Sequence, residues 1–285
     1  MRFFTYRNST LFGAFTKMTE RWLLILIPAV ILLLFGLVCS SSEKKQSGPL
    51  EDPAYAGWKV YNWERVKIIY PPDHPQESVF QSVAAGYIRA RDQVSAALNM
   101  PVPMDTITVI YYSGFGQGQE MTGRSYPFVK DGIIHFWLPS YFGVTFMQWM
   151  IPKWVPREPQ FPFLKHGLIA LFDYSGQDYH GGTIGYRERN EFVPLDSLAA
   201  DTTINSDTER LQSGEAASFD AFVLSTYGPG TFRHLYTTPL PFRQFVSDSL
   251  GMTVDDLQKQ WLEYAEANMS PQSQRAVDSL RQAGN

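Results

Sequence analysis

Gly132-Ile133-Ile134-His135-Phe136-Trp137-Leu138 is a β-branched and aromatic run closed by Pro139, and from residue 140 to 150 the apolar spacing becomes helical. The class of fold turns on this change of period. Upstream, the alternation that begins at Trp58 predicts a strand ending in Val66-Lys67-Ile68-Ile69-Tyr70, stopped by Pro71-Pro72. Helical periodicity follows over 76–99, and Thr106-Ile107-Thr108-Val109-Ile110-Tyr111-Tyr112 predicts another strand. Downstream, helices are predicted over 140–150, 161–174, 216–227, 241–250 and 254–268, with a polar helix or tail over 269–285. Strands come first and helices afterwards. The expected class is therefore α+β, an N-terminal mixed sheet with helices followed by a mainly helical half.

The chain has 285 residues and a formal net charge of -4, from 24 Lys plus Arg against 28 Asp plus Glu. With so mild a balance and no basic cluster, the phosphate attraction that nucleic-acid binding requires is missing. A hydrophobic share of 44% and an aromatic share of 15% are ample for a packed core. Cys39 is the sole cysteine, so neither an intramolecular disulfide nor a thiolate zinc cluster can form.

Cys39 closes the apolar run Trp22-Leu-Leu-Ile-Leu-Ile-Pro-Ala-Val-Ile-Leu-Leu-Leu-Phe-Gly-Leu-Val38. As a helix this run spans about 25 Å, short of the roughly 30 Å bilayer core and long for a signal-peptide apolar region. Two readings stay open for residues 22–39. One is an uncleaved signal anchor. The other is a lipoprotein signal, because Gly36-Leu37-Val38-Cys39 resembles a lipoprotein cleavage box and makes Cys39 a lipid-attachment candidate, although Val38 is larger than the residue normally found there. Arg2, Arg7, Lys17 and Arg21 precede the run and hold the N-terminus in the cytoplasm, which places the following domain on the outer face of the cell membrane. Residues 1–21 are a cytoplasmic extension or a mis-assigned start, and 40–57, with Gly48, Pro49 and Pro53, form a flexible linker.

Four segments of residues 58–268 stand in a telling order. A helix around Phe142-Gly143-Val144-Thr145-Phe146-Met147-Gln148-Trp149 follows a strand; then come Phe163-Leu164-Lys165-His166-Gly167-Leu168, Val193-Pro194-Leu195-Asp196-Ser197-Leu198 and Ser218-Phe219-Asp220-Ala221-Phe222-Val223-Leu224-Ser225-Thr226-Tyr227-Gly228. Leu250-Gly251-Met252 and Trp261-Leu262 complete the pattern. In this order and spacing the chain resembles the peptidase-MA-like family of gluzincin metallopeptidases. The resemblance implies a gluzincin-like fold whose helix carries His-Glu-x-x-His and whose next segment supplies a third, glutamate ligand to zinc.

The positions that match those residues are Thr145, Phe146, Trp149 and His166, a degenerate set in which His166 alone is a good zinc ligand. No realignment restores the motif. The histidines are His74, His135, His166, His180 and His234; none is followed by Glu or lies four residues from another. An unconventional site from His135, His166, Asp173 and His180 is the alternative, although His166 and Asp173 stand about 10 Å apart along one helix.

Gly114-Phe115-Gly116-Gln117-Gly118 reads as a flexible turn rather than a phosphate loop, and Glu188 with Glu191 as a solvated loop rather than a catalytic pair. No serine lies in Gly-x-Ser-x-Gly. Phe142, Trp149, Trp154 and Phe163 are expected either to fill the core or to form a hydrophobic binding groove. The sequence thus leads to a membrane-anchored, extracytoplasmic, non-catalytic peptidase-like domain with no cofactor and no nucleic-acid partner. It would bind or scaffold a protein or peptide. The rival is an active envelope metallopeptidase or hydrolase with an atypical site.

Overall fold

Strand β1 (Lys59–Trp63) turns back on β2 (Val66–Tyr70) in an antiparallel hairpin. The computed structural model that shows this describes residues 52–201 and 209–284. The run 22–39 with Cys39, the extension 1–21 and most of the linker 40–57 lie outside the described residues. Among the described residues no helix is long and apolar enough to cross a membrane. The single strand expected to end at Tyr70 is two strands because Glu64 adopts the left-handed conformation, φ 49, in the two-residue connection.

Helix α1 (Phe80–Ala97) follows, burying Phe80, Ala84, Tyr87 and Val94 along one stripe. It carries the chain across to β3 (Ile107–Tyr111), which lies parallel to β2. Next comes α2 (Phe115–Thr122). The Gly114–Gly118 stretch, read as a flexible turn, is its N-terminal part; a Cβ on Gly118 would stand 2.6 Å from the Trp137 ring, so glycine lets this helix lie flat on the sheet. Strand β4 (Phe128–Lys130) then pairs antiparallel with β5 (Ile133–Phe136), itself parallel to β3. The sheet order is β1-β2-β3-β5-β4, leaving β4 at one edge.

The helical half contains α3 (Phe142–Trp154), α4 (Pro162–Leu171), α5 (Tyr179–Glu188), α6 (Leu195–Ala200), α7 (Glu209–Thr226), α8 (Gly228–Thr237), α9 (Phe242–Phe245, continued as a wide turn to Leu250), α10 (Val254–Asn268) and α11 (Pro271–Gly284). The chain is α+β, as the change of period predicts, with a mixed five-stranded sheet. Helices α5, α6 and α8 have no counterpart in the sequence reading. Glu188 ends α5 instead of lying in a solvated loop, and α5 itself starts where the Asp178 carboxylate accepts the Gly181 N–H at 2.9 Å.

Alternation along the strands divides the core. Ile68, Tyr70, Val109, Tyr111, Ile134 and Phe136 join α1, α3 and the C-terminal helices in one large cluster; Ile69, Ile110, Tyr112 and Trp137 form a smaller one on the other face.

Candidate functional site

A cleft of about 1120 Å³ opens between the edge strand and the first two helices of the C-terminal half. Tyr126, Pro127 and Val129 of the β4 region form one lip. Val144, Gln148, Ile151 and Pro152 of α3 form the opposite side, and Lys165, His166, Ile169 and Ala170 of α4 extend it. Both helices present residues four apart, which is the spacing of a single helix face.

Two features set its length. At the first turn of α3, a Cβ on Gly143 would collide with the backbone carbonyls of Phe172 and Asp173, so the segment carrying Asp173 rests against that end. Arg157 follows three residues after Trp154, at the other end, and also lines the cleft. Gly143 to Trp154 spans about 16 Å at 1.5 Å per residue. An extended peptide of about five residues covers the same distance.

The register of α3 differs from the sequence reading by one residue. Thr145 and Phe146 are fully buried and Trp149 nearly so, at 4% exposure; the i and i+4 pair that faces the cleft is Val144 and Gln148. The Thr145 hydroxyl donates to the Phe142 carbonyl at 3.1 Å, and Phe146 and Trp149 stack at 6.0 Å. Tertiary packing overrides the expected register because α3 has an apolar face on either side, and the sheet and α1 cover the one bearing Phe146, Met147 and Met150. His166 does line the cleft.

Of the two readings of the aromatic residues, core filling and a groove, the core is the one seen. Phe163 and Trp154 are buried, Trp154 stacks on Phe232 at 5.9 Å, and Phe142 stacks on Tyr174 at 5.1 Å. None of Phe142, Trp149, Trp154 and Phe163 lines the cleft, whose apolar contributions come from Val129, Val144, Ile151 and Ile169. Large rings bury more apolar area in the interior than in an open groove, and the core has claimed them.

The proposed alternative cluster is dispersed. His135 sits on the far side of the sheet core, its Nδ1 2.8 Å from the Tyr112 hydroxyl and its ring stacked on Phe128 at 4.4 Å. Burial, helped by nearby Lys130 and Arg124, lowers its pKa to about 4. His180 Nδ1 lies 2.9 Å from Ser218 Oγ, which also accepts the Trp261 indole N–H at 3.0 Å. That serine is fully buried and has no access to a substrate. Asp173 accepts the Tyr179 hydroxyl at 2.6 Å and the Ser175 N–H at 2.7 Å. Among the described residues no three His, Cys, Asp or Glu side chains are grouped to hold a metal. The α3 face offers an aliphatic chain and an amide beside His166, a donor set that does not fit zinc.

Two buried acids were not legible beforehand. Glu215 and Asp220, both on α7, are fully buried. Glu215 Oε1 accepts the Val193 N–H at 3.2 Å, while among the described residues its Oε2 and both Asp220 oxygens have no hydrogen-bond partner. Burial pushes the Glu215 carboxyl up to about 8 and Asp220 well above the usual carboxylate range. Asp220 is held under α4: a Cβ on Gly167 would stand 2.6 Å from Asp220 Oδ2 and from the Ala216 carbonyl. Nothing in the run Ala216-Ala217-Ser218-Phe219-Asp220-Ala221-Phe222 marks the acid as interior, beyond its apolar company.

No protein-family model matches the chain, and none of the curated proteins or solved structures matches it.

Proposed function

We propose that this domain is a non-catalytic relative of gluzincin peptidases that binds an extended peptide segment of a partner protein in the cleft. The observation that carries this reading is the pairing of an open sheet edge, β4, with an elongated cleft whose helical side bears Val144, Gln148 and His166 in place of a ligand set. An edge strand offers unpaired backbone N–H and C=O groups, which an extended peptide can satisfy while its side chains enter the cleft. The gluzincin relationship is supported by how the resembling segments pack. Gly167 of α4 lies against Ala216 of α7, the Val193 N–H reaches Glu215, and the Leu195 N–H reaches Gln258 of α10 at 2.8 Å. Attachment to the outer face of a membrane rests on residues 22–39 of the sequence.

The test uses the full chain and a random-sequence peptide display library. Enrichment of extended peptides that is lost in Ala170→Trp, a substitution filling the cleft with the fold retained by circular dichroism, is the expected result. Stoichiometric zinc in protein purified without chelator, together with chelator-sensitive peptide cleavage, would overturn the reading in favour of an active peptidase.

A further inference from the structure

We propose that Glu215 is a protonation-controlled latch on the α7 side of the cleft, holding that side closed while its carboxyl is neutral and releasing it when the carboxyl ionises. The latch follows from position. Ser213 and Gly214 line the cleft, and Glu215 is the next residue, turned inward and fully buried. Among the described residues its one hydrogen bond ties α7 to Val193, in the segment between α5 and α6, and Oε2 is sealed without a partner. A sealed carboxylate with an unsatisfied oxygen is far more costly than a sealed carboxylic acid. The residue before Glu215 that lines the cleft is Gly214. That residue packs loosely beside Tyr179, whose Cδ1 would stand 3.6 Å from a Cβ placed there. In the latch, hydrating Oε2 parts α7 from the Val193 segment that its carboxyl holds.

Among the described residues, no neighbouring charge offsets ionisation. From α4 come Lys165, bound to Glu158 at 2.7 Å, and His166, which lines the cleft. From α5 come Tyr179, bonded to Asp173, and His180, bonded to Ser218. From α8 come Tyr236, Arg233, whose guanidinium donates to the Trp154 carbonyl, and His234, packed on the Phe245 ring. From α10 comes Tyr264, packed on the His180 ring. In the 189–193 stretch Arg189 and Glu191 are bound to each other at 2.8 Å, and Asp220 lies further along α7 itself. Among the described residues, only the Val193 N–H bonds to Glu215. Burial raises the carboxyl to about 8, so the latch operates between neutral and mildly alkaline conditions.

The consequence for binding rests on the cleft being the peptide site; the latch itself does not, and the experiment separates them. Amide hydrogen exchange on the full chain, corrected for intrinsic rates, is compared at pH 6 and pH 9. Protection at Val193 and over 213–216 is expected to fall by roughly tenfold or more in the wild type, further than at the Ile110 amide in the sheet, and to stay level in Glu215→Gln. An equal fall in both proteins, or none in the wild type, overturns the latch. Should Glu215→Gln not fold, glutamate-selective isotope labelling of the wild type gives the infrared band of a protonated carboxyl. Loss of that band between pH 6 and pH 9 supports the latch, and its absence at pH 6 or persistence at pH 9 overturns it. Level protection alongside intact binding of library peptides sinks the latch alone; absent peptide binding alongside pH-dependent protection sinks the cleft reading alone.

Discussion

Two helix contacts in the C-terminal half treat carboxylates in opposite ways. Where α5, α10 and α11 meet, Arg187 and Arg281 bind Glu188 and Glu266: Arg281 reaches Glu266 at 2.7 Å and Glu188 at 3.1 Å, and Arg187 reaches Glu188 at 2.9 Å. Hydrogen bonds from the two arginines hold both acids below the usual range. Where α4 crosses α7, Glu215 and Asp220 have no cation among the described residues, and burial holds them above it. The first contact is at the rim, where water and guanidinium groups share the solvation; the second is in the interior, where neither reaches. The difference is one of access, and it gives the two contacts opposite responses to pH.

The largest expected effect tests that opposition. The folded state keeps a proton on Glu215 that the unfolded chain releases above about 4.3. Its contribution is therefore fully present below that pH and is lost as pH rises to the folded value of about 8. The loss is on the order of 5 kcal/mol between these limits. Urea denaturation at pH 5 and pH 8 should show the wild type falling by several kcal/mol, with Glu215→Gln removing the Glu215 share of the slope and leaving the share that buried Asp220 carries. An unchanged slope would break the comparison.

A steric test of the interior contact comes next. In Gly167→Ala the new methyl would crowd the Ala216 backbone, where nothing flexible can yield, and should lower stability by about 3 kcal/mol. Thermal unfolding reads this, and a neutral result would show that α4 and α7 are not closely packed.

The smallest effect belongs to the rim. Arg281→Ala should cost about 1 kcal/mol near pH 7, because half-exposed pairs are weak even in a network. Here the sign reverses: the acids are held low, so their contribution is present above the unfolded carboxylate range and lost as pH falls. Wild type and Arg281→Ala should therefore converge in acid, as followed by urea denaturation at pH 7 and pH 3.

Much of the β half could be read from residue pattern. The strands at Val66–Tyr70, Ile107–Tyr111 and Ile133–Phe136 fall inside the β-branched runs that announced them. Strand β4 was missed despite a strong local signal, the Asp131-Gly132 pair, whose φ values of 52 and 75 form the two-residue turn of a hairpin. Helix α5 was missed because Gly181, Gly182 and Gly185 depress helix propensity; packing against α7, α10 and α11 compensates. Of the candidate site positions, His166 lines the cleft, whereas Thr145, Phe146 and Trp149 are buried. Gln148 carried a usable signal: Val144, Gln148 and Ile151 form a stripe distinct from that of Phe146, Met150 and Trp154. Glu215 and Asp220 carried none.

By itself, the sequence determined what does not depend on arrangement. The change from strand period to helix period fixed the α+β class, and the identities of five histidines, none spaced for His-Glu-x-x-His, ruled out that motif at any alignment. Tertiary structure alone decided which face of α3 meets the cleft and which acids lose their water. Both are settled by segments distant along the chain: the β4 edge and α4 for the first, Val193 and Gly167 for the second. A residue's type is local, whereas its solvation belongs to the neighbours the fold brings to it.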